Sequence, residues 1–273
     1  MTTTTFVPSV GRAVSVGPGG VSLRRTFRAE WTKIRTLRST WMTVGISAVV
    51  SITLAAVVCA SNLSQWDSMS VKERLAFDGT SNALIGVLFA TVIIGSLAVR
   101  AITSEYSSGM IRLTFSAVPR RRAVLAAKAA LLAAVAFPVA LVSNLAAFFV
   151  GQQILASKSL DTSIGHPGVV TAIVFGALAV SLVAVIGVGL GTVMRRTASA
   201  TTVLSLVIIG SQLLGLALPE VARQYLPGFA LQAVVTVHRV SGLLSPAFGL
   251  AVLAGYALVS FGVANVLIAR RDA

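Results

Sequence analysis

Six long stretches of this chain are apolar and almost free of charge, and they restrict its fold more than any other feature. They run from Trp41 to Ala60, Asn82 to Val99, Ala123 to Val150, Val169 to Met194, Ser199 to Leu218 and Pro246 to Ala269. A helix rises ~1.5 Å per residue, so about 20 apolar residues cross a hydrocarbon core ~30 Å thick. Backbone N–H and C=O groups in lipid find no water and must bond within their own segment, which makes these stretches helices. Composition agrees: 56% of the 273 residues are hydrophobic, only 11% are charged and the mean hydropathy is +0.90, more than a water-solvated surface can hold. The expected fold is an all-α integral membrane protein with six transmembrane helices.

The formal net charge of +14 is not spread evenly. Arg12, Arg24, Arg25, Arg28, Lys33, Arg35, Arg38, Arg100, Arg112, Arg120 to Arg122, Lys128, Arg195, Arg196, Arg270 and Arg271 all fall on one side of the six spans. The other side holds Lys72, Arg74, Lys158, Arg223 and Arg239, accompanied by Asp67, Glu73, Asp78, Asp161 and Glu220. Loops rich in Lys and Arg stay in the cytoplasm, so both chain ends are expected on the cytoplasmic side of the membrane. Phospholipid head groups account for the basic clusters, and no nucleic-acid partner is expected, because no polar, groove-like context surrounds them. Residues 1–20, rich in Thr, Gly, Val and Ser, read as a disordered cytoplasmic tail and lack the pattern of a secretory signal.

Within the spans the sequence places almost nothing ionisable. Lys128 lies near the inner end of the third span, where it is expected to snorkel toward the interface. Asn144, Gln212 and Asn265 either line a pathway or make interhelical hydrogen bonds. Small residues at helical spacing, such as Gly187 and Gly191, suit close helix packing, and Pro138 predicts a kink or a long extension of the third span. Cys59 has no partner cysteine, and His166 and His238 fall in outer loops without ligand spacing, so no metal site is expected.

Two elements on the basic side carry more information than the spans. Over residues 21–40, Leu23, Phe27, Trp31, Ile34 and Leu37, followed by Trp41, recur every three to four positions. They define an amphipathic interfacial helix, with Arg24 and Arg28 placed for lipid phosphate and Trp31 and Trp41 for the interface. Glu30 projects beside the apolar stripe and needs a cation, either from its own helix or from further away. The second element runs from Ile102 to Arg122, between spans two and three. Gly109 permits a bend there, and Met110, Ile111, Leu113 and Phe115 are too apolar for a free loop, so they either dock on a partner or hug lipid. Arg120, Arg121 and Arg122 anchor the following helix at the membrane face. The outer stretch 219–245 contains an apolar run too short to span, and reads either as a re-entrant lid or as a core-packed connection.

The runs F-R-A-E-W-T-K-I-R-T-L-R-S-T-W (residues 27–41), E-Y-S-S-G-M-I-R-L-T-F-S-A-V-P-R-R-R (105–122) and Y-L-P-G-F-A-L-Q-A (225–233) resemble the six-span membrane subunits of bacterial ATP-binding-cassette exporters, the type 2 permease family in its actinobacterial form. With the topology, the resemblance covers nearly the whole chain, residues 41–273 being the transmembrane domain. Met110 departs from the family pattern, which more often has Thr. The resemblance implies a coupling helix between spans two and three that seats in a separate ATPase. It assigns that role to Glu105, Tyr106, Gly109, Met110, Arg112, Leu113 and Phe115, supported by Glu30, Lys33 and Arg35. It further implies two ATPase subunits carrying ATP and Mg, a second permease subunit, the same or homologous, contact with membrane lipids, and outward movement of an amphiphilic or lipid-like substrate. The chain itself lacks a G-x-x-x-x-G-K-[ST] phosphate loop, so it is expected to be no enzyme and to carry no cofactor. The competing readings are a secondary transporter driven by an ion gradient, which would need intramembrane ionisable groups, and a membrane scaffold without a transport role.

Overall fold

The structure is a computed structural model that describes residues 23–36, 38–110, 121–238 and 242–270. The described residues are helical and contain no strand. In chain order the helices are α1 (Leu23–Thr36), α2 (Arg38–Gln65), α3 (Val71–Leu75), α4 (Gly79–Ala83), α5 (Gly86–Ser107), α6 (Arg121–Leu155), α7 (Val169–Met194), α8 (Thr197–Ser205), α9 (Ser211–Leu214), α10 (Glu220–Arg223), α11 (Pro227–Val235) and α12 (Pro246–Arg270). Six stretches are long and apolar enough to cross a membrane: Arg38–Ser68, Gly79–Ser107, Arg121–Lys158, Val169–Met194, Thr197–Leu214 and Pro246–Arg270. The fifth is built from α8, a π turn at Leu206–Gly210 and α9.

The fourth span, α7, is the most buried of the six and packs against α5, α6 and α12. Its burial follows from its small residues. Gly187 sits so close to α5 that a Cβ there would lie 2.5 Å from the Gly95 carbonyl oxygen, and Gly191 meets Ile102 in the same way. Lipid tails are as apolar as Leu, so helices in a bilayer gain from close packing and interhelical polar contacts more than from expelling solvent. Both devices are present. Asn144 Nδ2 donates to the Ile173 carbonyl at 3.2 Å, Ser260 Oγ to the Ile186 carbonyl at 3.1 Å, and the hydroxyls of Thr103 and Thr197 lie 2.7 Å apart. Around this hub α2 leans on α6 and α5, while Met42, Val49, Val57, Phe248 and Leu258 point outward as an apolar girdle.

Three features bear on the sequence expectations, and only the bounds of the second and third spans depart from them. The second span does not end at Val99. Helix α5 continues to Ser107, because Ile102, Thr103 and Glu105 are buried and Gly109, at φ +71°, is the first residue with a backbone that leaves the helix. The third span is longer than residues 123–150, and Pro138 is accommodated inside α6 without ending it. Asn144, expected as a lining residue or an interhelical bond, is buried at the α6–α7 contact, since its amide satisfies a carbonyl there.

On the side away from the basic clusters, the stretch after span five is packed into the bundle. Helix α11 buries Pro227, Gly228, Ala230, Leu231, Ala233, Val234 and Val235 against α12 and α7. Gly228 lets its first turn approach span five, where the Ser211 hydroxyl accepts the Gly228 N–H at 2.9 Å. Asp78 ties the same region to the start of span two. One carboxylate oxygen caps α4 by accepting from Thr80 and Ser81 N–H at 3.0 Å, and the other accepts from Val237 N–H at 2.8 Å and His238 N–H at 3.1 Å.

Candidate functional site

On the basic side, α1, the last turns of α5 and the first turns of α6 converge on a buried cluster of four charges. Helix α1 forms because Phe27, Trp31 and their neighbours repeat at helical spacing, and the same winding sets Glu30 and Lys33 together on one flank of that stripe. Glu105 is brought in by the continuation of α5, and Lys128 lies two turns into α6. Lys33 Nζ lies 2.9 Å from Glu30 Oε1 and 2.9 Å from Glu105 Oε1. Lys128 Nζ lies 2.6 Å from Glu30 Oε2 and 2.8 Å from Glu105 Oε1. The two carboxylates and two ammoniums thus alternate in a neutral ring that joins three helices, with the Ala101 carbonyl 3.5 Å from Lys128 Nζ.

Lys128 does not snorkel. It is only 3% exposed, because its ammonium is held between two buried carboxylates, Glu30 at 5% and Glu105 at 6%. Had it reached for solvent, Lys33 alone would face both carboxylates, and an uncompensated buried charge costs about 3–5 kcal/mol. Burial by itself raises the Glu30 carboxyl, but Lys128 and then Lys33 outweigh it and hold it below its ordinary range. Burial likewise pulls the Lys33 ammonium down, and Glu105 and Glu30 outweigh that and hold it up. Glu105 Oε2 is buried with no hydrogen-bond partner among the described residues.

Beside the ring opens a cavity of about 510 Å³. Its walls include Thr36, Ser39, Thr40, Leu97, Arg100, Ser104 and Ser108 in addition to the four charged residues. Tyr106, half-buried at the end of α5, carries the Arg195 guanidinium over its ring at 5.1 Å, which brings the loop between spans four and five to the same place. Met110 is 46% exposed at the point where the chain leaves α5.

The other residues singled out by sequence fall as follows. Arg112, Leu113, Phe115 and Arg120, like the tail at 1–20, lie outside the described residues, as does the side chain of Arg24. Arg35 is exposed, and its carbonyl accepts from Trp41 Nε1 at 3.2 Å, fixing the joint between α1 and α2. Arg28 and Trp31 on α1 and Trp41 near the start of α2 are exposed, and Arg121 and Arg122 open α6. Gln212 is half-buried beside Gly228, and Asn265 Nδ2 bonds the Phe261 carbonyl of its own helix at 2.9 Å.

Sequence reasoning named Glu30, Lys33 and Glu105 but not Lys128 as the second cation between the two carboxylates. Lys128 was readable only as a stray cation in an apolar span, and its pairing depends on a tertiary approach across 98 residues to Glu30. Asp78 was also missed as a tie between loops, although D-G-T-S is a helix-capping pattern.

Six apolar helices with a buried ionic ring at their basic end define a multi-pass membrane protein. Residues 26–212 match the ABC-2 family transporter proteins, a region that includes the ring, four complete spans and the fifth up to Gln212. The chain belongs to that family. No curated protein matches it.

Proposed function

We propose that this chain is the membrane-spanning permease subunit of an ATP-binding-cassette exporter. It works as a pair with a like or homologous subunit and is driven by two separate ATPases that carry the ATP and Mg. Both chain ends lie in the cytoplasm, and the cargo is amphiphilic or lipid-like.

The observation that carries this reading is the ring of Glu30, Lys33, Glu105 and Lys128. It welds α1 and α6 to the last turns of α5, and α5 runs directly into the apolar segment that the family resemblance assigns to the ATPase. A push on that segment is delivered to three helices together, because none can shift without separating buried opposite charges. Glu105 therefore acts from inside the bundle as a positioning residue, and the surface for the partner is left to Met110 and the residues that follow. Family membership supports a partner ATPase, and the sequence has no G-x-x-x-x-G-K-[ST] phosphate loop.

The ring bears on the ion-driven alternative too. A buried carboxylate pair would suit cation coupling. Here two ammoniums compensate the two carboxylates, which favours a fixed joint over an exchangeable ion site. Affinity purification of the full chain from its own membrane, followed by reconstitution, tests the reading. A co-purifying ATPase and solute movement that needs ATP and survives collapse of ion gradients are expected; movement that continues without ATP and stops with the gradient overturns it.

A further inference from the structure

Helix α1 has a second flank, turned away from the charged ring. Between it and α6 lies a hollow of about 510 Å³, walled by Phe27, Trp31, Trp41, Ala134 and Pro138, with Arg28 at its rim. The three aromatic residues are 41%, 42% and 48% exposed, so no other described residue closes the hollow. The apolar wall continues along α6, where Val142 and Phe149 are exposed at 66% and 52% on the surface that faces lipid. A track of this shape suits one acyl chain lying along the helix.

Charge decides the head group. The Arg28 guanidinium makes no ion pair or hydrogen bond among the described residues. The only described carboxylates at this end of the bundle are Glu30 and Glu105, and both are held by Lys33 and Lys128. Among the described residues no carboxylate is left to pair with Arg28. Arginine recognises phosphate through its planar fork, and tryptophan pairs settle at the level where phosphate gives way to hydrocarbon.

We infer that this hollow is a binding site for an anionic phospholipid of the basic-side leaflet, with its phosphate on Arg28 and one acyl chain against Trp31, Trp41 and the Ala134–Pro138 wall of α6. Arg28 precedes Glu30 by two residues on one helix. A lipid seated there presses α1 onto α6 and reinforces the Glu30–Lys128 pair from the far side. The site is independent of the transport reading, which can fail while the lipid still binds.

The test uses the full chain purified without its ATPase from vesicles of equimolar phosphatidylcholine and phosphatidylglycerol. Retained lipid is counted by native mass spectrometry. Wild type is expected to retain phosphatidylglycerol in preference to phosphatidylcholine, Arg28→Ala to weaken that retention about fivefold, and Ala134→Phe, which fills the hollow without changing charge, to lose it while α1 remains docked by cross-linking to α6. Retention in the bulk ratio by wild type, unchanged phosphatidylglycerol on both variants, or cross-linking of a second copy through the hollow overturns the assignment.

Discussion

Lys128 is the residue on which the basic end of the bundle depends most, since its single ammonium serves two buried carboxylates. Lys128→Ala leaves Glu30 and Glu105 to share Lys33, which is 37% exposed and partly screened by solvent. The expected loss is about 3–5 kcal/mol for Lys128→Ala and below about 1 kcal/mol for Lys33→Ala. Thermal unfolding of the two variants in matched detergent checks the difference, and equal midpoints would contradict it. The contrast is a burial effect that linear sequence hides. Glu30 was visibly misplaced on an apolar stripe and so demanded a cation, but which cation depended on how α1 meets α6 in space.

At the scale of the element, the docking of α1 is controlled by groups that titrate on either side of neutrality. Glu30 is held below its ordinary value of 4.5, so its contribution is complete above that value and is lost as pH falls through the lowered one. Lys33 is held above its ordinary value of 10.5, so its contribution is complete below that value and is lost as pH rises through the raised one. The fluorescence of Trp31, isolated by replacing Trp41 and Trp66 with Phe, is expected to be flat between those limits and to change beyond them; a transition near neutrality would contradict the account. The end of α5 obeys backbone chemistry instead. Gly109 adopts φ +71°, where a Cβ has space but a strained backbone, so Gly109→Ala is expected to cost about 1 kcal/mol and to loosen the start of the following segment, seen as faster amide exchange over residues 107–110. The sequence marked this glycine as a bend but put the end of the helix near Val99, because Arg100 and the serines after it read as a loop until Ile102, Thr103 and Glu105 are seen packed against other helices.

Across the whole molecule, the number and type of the membrane helices were legible because a bilayer demands one pattern and the chain displays it six times. What remained hidden is tertiary. The central position of α7 rests on glycines whose partner is a carbonyl of α5, and the inward packing of α11 rests on Ser211 and Asp78, neither adjacent to it in sequence. Substituting Gly187→Leu is expected to separate α5 from α7 and to lower the yield of folded protein severalfold, since no rotamer avoids the Gly95 backbone. A yield equal to wild type would show that the contact is dispensable.

The division of labour between this chain and a partner is tested most directly by ATP hydrolysis in vesicles holding the permease with and without its co-purified ATPase. The account predicts no phosphate release from the permease alone, release from the complex, and about a tenfold fall in the complex with Glu105→Gln while the ATPase stays bound. Full hydrolysis in that variant, or phosphate release by the permease alone, would contradict it.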